Sequence, residues 1–147
     1  MDTSHVHTQQ LKDLKIICEQ AGIKLTQQRI EIFMELMQAE DHPSAELLHQ
    51  RLQKSLPTIA IDTVYRTLAT FDALGIIKKL NIMGESALFD ANREQHHHFV
   101  CTQCKTVQDV YWPEFDTSII PDHADKLGRI QSRHLELRGI CSNCLQK

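Results

Sequence analysis

Cys101, Cys104, Cys141 and Cys144 form two C-x2-C pairs with 36 residues between them. Each pair can set two thiolates on one turn. Four thiolates suit a tetrahedral Zn²⁺ that keeps no open position, which makes the expected ion structural. The gap is longer than in a zinc ribbon, so the ion would tie the end of the chain back to a strand of the same domain. Disulfides or a redox pair compete with this reading. No strand–helix redox context surrounds either pair, and the polar start MDTSHVHTQQLKDLK lacks the apolar core of a signal peptide. A reducing cytosol is therefore expected, where paired cysteines hold metal. Cys18 falls on the apolar side of a helical pattern and reads as a small core residue.

A second cluster precedes the first knuckle. His96, His97 and His98 lie on an extended run. Side chains two apart on a strand share a face, so His96 and His98 present two imidazoles together and His97 turns away. Asp90 lies at the end of the expected hairpin, Asp109 on the next strand, and His42 in the break before the third helix. Imidazole with carboxylate favours a borderline divalent ion such as Fe²⁺, Mn²⁺ or Zn²⁺. Each residue also has a plain reading, as a solvated loop or strand-end side chain.

The elements that must position these groups fall into two parts. Leu11, Leu14, Ile17, Cys18 and Ala21 follow helical spacing up to Gly22. Thr26 can cap a second helix with Ile30, Phe33, Met34 and Met37 inward. Pro43 breaks the chain, and Ser44 opens a third helix carrying Leu47, Leu48 and Leu52. A fourth, IDTVYRTLATFDALG, places Val64, Leu68, Phe71 and Leu74 inward and stops at Gly75. The runs IIKKLNI and SALFD, parted by Met83–Gly84–Glu85, read as a hairpin. Helices followed by a two-stranded hairpin suggest a winged helix, with the fourth helix as reader and Tyr65 and Arg66 on its outer side. ANREQ (91–95) reads as a linker. Three extended runs follow, HHHFV, KTVQDVYW and RIQSRHLELRGI, with a short helix between Glu114 and Leu127 limited by Pro121. The expected class is α+β: a winged helix-turn-helix domain over 1–90, a linker over 91–95, and a second α+β part over 96–147 that is small enough to need a staple or a partner subunit.

Composition narrows function. With 41% apolar and 24% charged residues the chain is globular, and no run approaches the ~20 apolar residues of a membrane span. Split at Met83, it carries 9 basic and 10 acidic residues before and 7 and 9 after. Neither half is basic, so DNA contact must come from a local patch and a shape match.

Together the LTQQR of the second helix, HPSAELL, DTVYRTLATFDALGII, HHHFVC-x2-C and LELRGIC-x2-C resemble the ferric uptake regulator superfamily over nearly the whole chain. The resemblance implies a winged helix, a hinge and an α/β dimerisation domain with a structural zinc. It implies a regulatory ion, Fe²⁺ or Mn²⁺, held by His42, Asp90, His96, His98 and Asp109. It also implies a homodimer on a palindromic, AT-rich DNA operator. Tyr65, Arg66 and Thr63 would then face bases, with Lys15 and Arg29 on phosphates. Aspartate at both carboxylate positions leans toward the peroxide-responsive branch, in which His42 and His96 are oxidation targets. Iron-responsive and zinc-responsive uptake repressors are the alternatives within the class. A metal-dependent hydrolase is the remote one, since no H-E-x-x-H or nucleophile signature is present. Three positions depart from the pattern. His97 replaces an acidic residue between the ligand histidines. Arg133 stands where many relatives have His, with His134 one place on, which argues against a second exchangeable site. Ala60 replaces a Ser at the start of the reading helix, leaving Asp62 or Thr63 to cap it.

Overall fold

Thr26 has extended backbone angles, and its hydroxyl accepts the N–H of Arg29, which starts the second helix where the sequence expects it. The computed structural model describes residues 3–82 and 84–147, with Thr3 and Ser4 described by backbone only. Met83, named in the expected hairpin turn, lies outside the described residues, as do Met1 and Asp2. The chain divides into two units, Met1–Arg93 and Glu94–Lys147, and the division falls inside the expected 91–95 linker.

The first unit runs α1 (Thr3–Gln20), α2 (Gln27–Gln38), α3 (Ala45–Leu52), α4 (Ile61–Ala73), β1 (Lys78–Leu80) and β2 (Leu88–Asp90). Gly22 and Gly75 follow helix ends at φ of 68° and 72°, a region that costs a side-chain-bearing residue energy. Leu14, Cys18, Leu48, Leu52, Val64, Leu68 and Phe71 are buried in one core. Strands β1 and β2 pair antiparallel, Lys78 opposite Asp90 and Leu80 opposite Leu88.

Two expectations need correction here. The buried stripe of α2 is Ile32, Phe33 and Leu36, and Ile30, Met34 and Met37 are only partly buried. The helix is apolar on more than one side, so its sequence alone admits either stripe. Ile32 and Leu36 join the core that holds Leu48, Val64 and Phe71, which decides between them. The N-cap of α4 is Ala60, with no side-chain hydrogen bond. Asp62 and Thr63 already lie in the first turn and do not cap it.

The second unit contains β3 (His97–Cys101), β4 (Val107–Val110), α5 (Pro113–Asp116), α6 (Asp122–Asp125), β5 (Glu136–Gly139) and α7 (Ser142–Leu145). The sheet order is β4-β3-β5, antiparallel between β3 and β4 and parallel between β3 and β5. The expected single helix between 114 and 127 is two separate turns. Pro121 caps the second, having no N–H to continue the first. The expected third extended run is strand only over Glu136–Gly139. The residues from Arg129 to Leu135 form no regular element, and the segment instead places single side chains against β3.

Candidate metal centres

The cysteine cluster lies wholly in the second unit. Cys101 ends β3, Cys104 follows in a turn that needs Lys105 at φ 63°, Cys141 caps α7, and Cys144 lies within α7. The parallel pairing of β5 on β3, with Cys101 opposite Gly139, brings the second knuckle to the first. The Sγ atoms of Cys101 and Cys144 lie 3.8 Å apart, and those of Cys104 and Cys141 lie 3.7 Å apart. A tetrahedron with metal–sulfur bonds of about 2.3 Å has edges of about 3.8 Å. All four sulfurs lie within 4.8 Å of one another. Backbone N–H groups of Cys104 and Cys141 point at Cys101 Sγ from 3.5 and 3.3 Å and hold its thiol down to about 6. The Thr106 hydroxyl lowers Cys104. Cys144, beside the Cys141 sulfur, is pushed up to about 12. Sulfurs this close cannot all carry charge without a cation among them. Donor type, spacing and charge therefore fit a tetrahedral thiolate-bound ion.

Histidine and carboxylate groups are found in each unit, and each set stands by itself. In the first, His42 sits in the loop before Pro43. The N–H of Phe89 donates to the Pro43 carbonyl at 3.0 Å, and Ser44 bridges Leu88, which lays this loop along β2. His42 Nε2 thereby comes to 3.3 Å from Asp90 Oδ2, with both side chains almost fully buried. The other Asp90 oxygen accepts the N–H of Asn92 at 2.8 Å.

In the second unit, His96 and His98 each place Nε2 3.6 Å from Asp109 Oδ1. The rings meet edge to face at 4.8 Å. The register explains this: His98 pairs with Asp109 across β3 and β4, and His96 lies two residues before His98 on the same face. The other ring nitrogens are also engaged. His96 Nδ1 donates to the Glu94 carbonyl at 2.6 Å, and His98 Nδ1 lies 2.8 Å from His134 Nε2. A ring whose Nδ1 carries the proton leaves its Nε2 lone pair for a metal. Ligand edges for bonds of about 2.1 Å run from about 3.0 to 3.4 Å, so a small inward movement completes the geometry. The residues fit an N/O-ligated divalent ion.

His97 turns to the opposite face. Its Nδ1 accepts the N–H of Leu135 at 3.0 Å, so its Nε2 carries the proton and donates it to Asp116 Oδ1 at 2.7 Å. Gln95 Nε2 donates to the same oxygen and to the Arg133 carbonyl, both at 3.3 Å. Arg133 donates to the carbonyls of Phe115 and Ser118. At this place the donors are already satisfied within the protein. Sequence reasoning singled out neither Asp116 nor Gln95, because their partners lie far along the chain.

The candidate DNA residues sit on the first unit. Tyr65 and Arg66 are exposed on α4, and Thr63 is partly exposed in its first turn. The Tyr65 hydroxyl donates to the Glu46 carboxylate. That contact lowers Glu46 and raises Tyr65 from their ordinary values. Lys15 is exposed on α1. Arg29 donates to the Lys24 carbonyl, so part of its guanidinium braces the turn before α2. A groove of about 590 Å³ runs beside Tyr65 and Arg66, with Glu46, Lys79 and Phe89 among its walls.

Residues 20–138 match the Ferric uptake regulator family. This chain belongs to that family. The peroxide-responsive repressor PerR of Staphylococcus aureus strain Mu50 is 32% identical over 129 residues, 87% of this chain and 86% of the relative. Among solved structures, the Francisella tularensis ferric uptake regulator with iron shares 27% identity at TM-score 0.67, covering 84% of this chain and 96% of that one. The Helicobacter pylori ferric uptake regulator Fur, at 20% identity, gives TM-score 0.79 over 96% of this chain and 95% of that one, which bears on the fold. The protein is thus a metal-dependent transcriptional repressor and not an enzyme, of a family that binds DNA operators as dimers. No helix among the described residues is long and apolar enough to cross a membrane.

Proposed function

We propose that this repressor senses hydrogen peroxide in the cytosol through Fe(II) held by His42, Asp90, His96, His98 and Asp109, with Zn²⁺ in the four-cysteine site. The carrying observation is the donor set of the second unit. Two imidazoles aim Nε2 at one aspartate while their Nδ1 atoms are tied elsewhere. Aspartate at both 90 and 109, and the similarity to the S. aureus peroxide-responsive repressor, support this branch over the uptake regulators. For the structural site, sulfur spacing of 3.7–3.8 Å supports zinc.

His42 and Asp90 come from 1–90, and His96, His98 and Asp109 from 96–147, across the 91–95 hinge. An ion shared by both sets joins the DNA-binding domain to the dimerisation domain. In a dimer this fixes two α4 helices at a separation of roughly 34–36 Å, one turn of a palindromic, AT-rich operator. Tyr65, Arg66 and Thr63 face the bases, and Lys15 and Arg29 face phosphates. Metal and DNA then strengthen each other's binding.

Fe(II) held there would activate hydrogen peroxide for a two-electron oxidation of a neighbouring ring, and Mn²⁺ in the same place would not. The peroxide O–O bond breaks: one oxygen bonds to a ring carbon of His42 or His96, the hydrogen of that carbon ends on a ring nitrogen, and the other oxygen leaves as water. The oxidised ring is a poorer base, so it loosens its hold and the two domains part. The test is anaerobic loading with Fe²⁺, a small excess of peroxide, and peptide mass spectrometry. One added oxygen on the peptide containing His42 or His96, absent with Mn²⁺, is expected. Bound iron without that oxygen overturns peroxide sensing and leaves the iron-responsive reading. That second reading has its own support in the similarity to the iron-bound F. tularensis regulator.

A further inference from the structure

The segment ahead of β5 is held at three consecutive residues, two of them against β3. Arg133 is held by the carbonyls of Phe115 and Ser118. The N–H of Leu135 donates to His97 Nδ1, and the Leu135 carbonyl accepts the N–H of His98 at 3.2 Å. His134 lies between these anchors, which hold its backbone beside β3. It stands 5.0 Å from the His98 ring and 5.8 Å from the His97 ring, and its Nε2 meets His98 Nδ1 at 2.8 Å. One hydrogen serves both nitrogens of that contact. The opposite nitrogen of His98 faces Asp109.

We infer that His134 is a positioning residue for the regulatory site: it accepts the Nδ1–H of His98 and so holds the His98 Nε2 lone pair toward Asp109. This rests on the reading of His98 as a metal ligand. Histidine is an unusual acceptor for this task, since a ligand imidazole more often donates to a carboxylate or a carbonyl, as His96 does to Glu94. Without an acceptor at Nδ1, His98 is free to place its proton on Nε2 and donate it to Asp109. That tautomer has no lone pair for an ion. The segment that leads into β5, which carries Cys141 to its knuckle, therefore carries the group that prepares His98. His134 is exposed while His98 is almost fully buried, so the acceptor can be replaced without opening the core.

The test uses the full chain with its zinc and no other metal, labelled with ¹⁵N-histidine. Long-range ¹H–¹⁵N correlation reads the His98 tautomer directly, and His98→Gln assigns the signal. Mn²⁺ titration then gives the affinity. Wild type is expected to hold His98 with the proton on Nδ1. His134→Phe, which has no acceptor, is expected to move the proton toward Nε2 and weaken Mn²⁺ by about 10–100-fold. His134→Gln, which restores an acceptor oxygen, is expected to recover both. An unchanged tautomer or an unchanged Mn²⁺ affinity in His134→Phe overturns the inference. His98→Ala separates the two readings: if it also binds Mn²⁺ as tightly as wild type, the ligand assignment itself has failed.

Discussion

Removing the Asp116 carboxylate strips a fully buried ring of its acceptor. His97 is 0% exposed, and its Nδ1 is already committed to the N–H of Leu135. Its Nε2–H therefore has Asp116 Oδ1, at 2.7 Å, as its acceptor. Asp116→Ala leaves that N–H buried without it and also releases Gln95. A hydrogen bond to a charged group contributes about 1.5–3 kcal/mol, and a stranded buried donor costs on the order of 1–3 kcal/mol. Because these describe the same loss, about 2–3 kcal/mol is expected, not their sum. Asp116→Asn keeps a neutral acceptor oxygen and should cost about 1 kcal/mol. For so small a unit, each kcal/mol corresponds to roughly 4–8 °C in Tm. The chain has one Trp, Trp112, whose ring packs 5.8 Å from Phe115 in the second unit. Its fluorescence during urea unfolding therefore reports on that unit, while far-ultraviolet circular dichroism follows the helical first unit. The expected result is a lower Trp112 midpoint for Asp116→Ala with the circular-dichroism midpoint little moved. If Asp116→Ala unfolds within about 0.5 kcal/mol of wild type, or Asn is as damaging as Ala, the assignment of the His97 proton is wrong.

Three further outcomes follow. Cys101→Ser or Cys144→Ser should lose zinc and release β5 from β3, since structural zinc contributes about 10–16 kcal/mol to folding in small domains. Elemental analysis and the mass of the dimer check this, and unchanged zinc with unchanged mass would refute it. Thr26→Ala should cost about 1 kcal/mol by removing the hydroxyl that accepts the Arg29 N–H, read as a lower circular-dichroism midpoint. Asp41 is held below the ordinary aspartate range first by its hydrogen bonds to Arg51, a two-point contact at 2.9 and 2.7 Å. A depressed folded value means that the pair's contribution is present above about pH 4 and is lost as pH falls through the folded value. Carbon-detected NMR titration should show Asp41 low in wild type and returned to the ordinary range in Arg51→Met.

The family was legible from motifs that resemble it along nearly the whole chain, and the cysteine pairs and the His96/His98 face from short-range rules. Two cysteines three positions apart share a turn wherever the chain goes. His96 and His98 share a face because side chains alternate on any extended chain, and the turn to the opposite face for His97 follows from the same parity. Thr26 and Ser44 cap their helices by reaching their own backbone three residues on. Gly22 and Gly75 end theirs because few other residues accept those angles. Capping by Asp62 or Thr63 failed for a related reason. The chain enters α4 with Ala60 already in the capping conformation, and a side chain inside the first turn cannot serve as its cap.

What only the tertiary structure decided is pairing across distance. The sequence held a His at 134 without a partner for it, and that partner, His98, lies 36 residues earlier. Asp116 finds His97 across 19 residues. Neither spacing has a local period, so neither leaves a pattern to read. The buried stripe of α2 was ambiguous for the same cause: an apolar helix shows its core face only against its neighbours, here the core residues of α3 and α4. The place of β5 was set by β3, whose His98–Cys101 pair with Glu136–Gly139. The sequence by itself determined which chemistry is available to this protein, because residue type and local spacing suffice for that. The fold decided which nitrogen of each imidazole is left to use it, because that depends on what the packing brings to the other nitrogen.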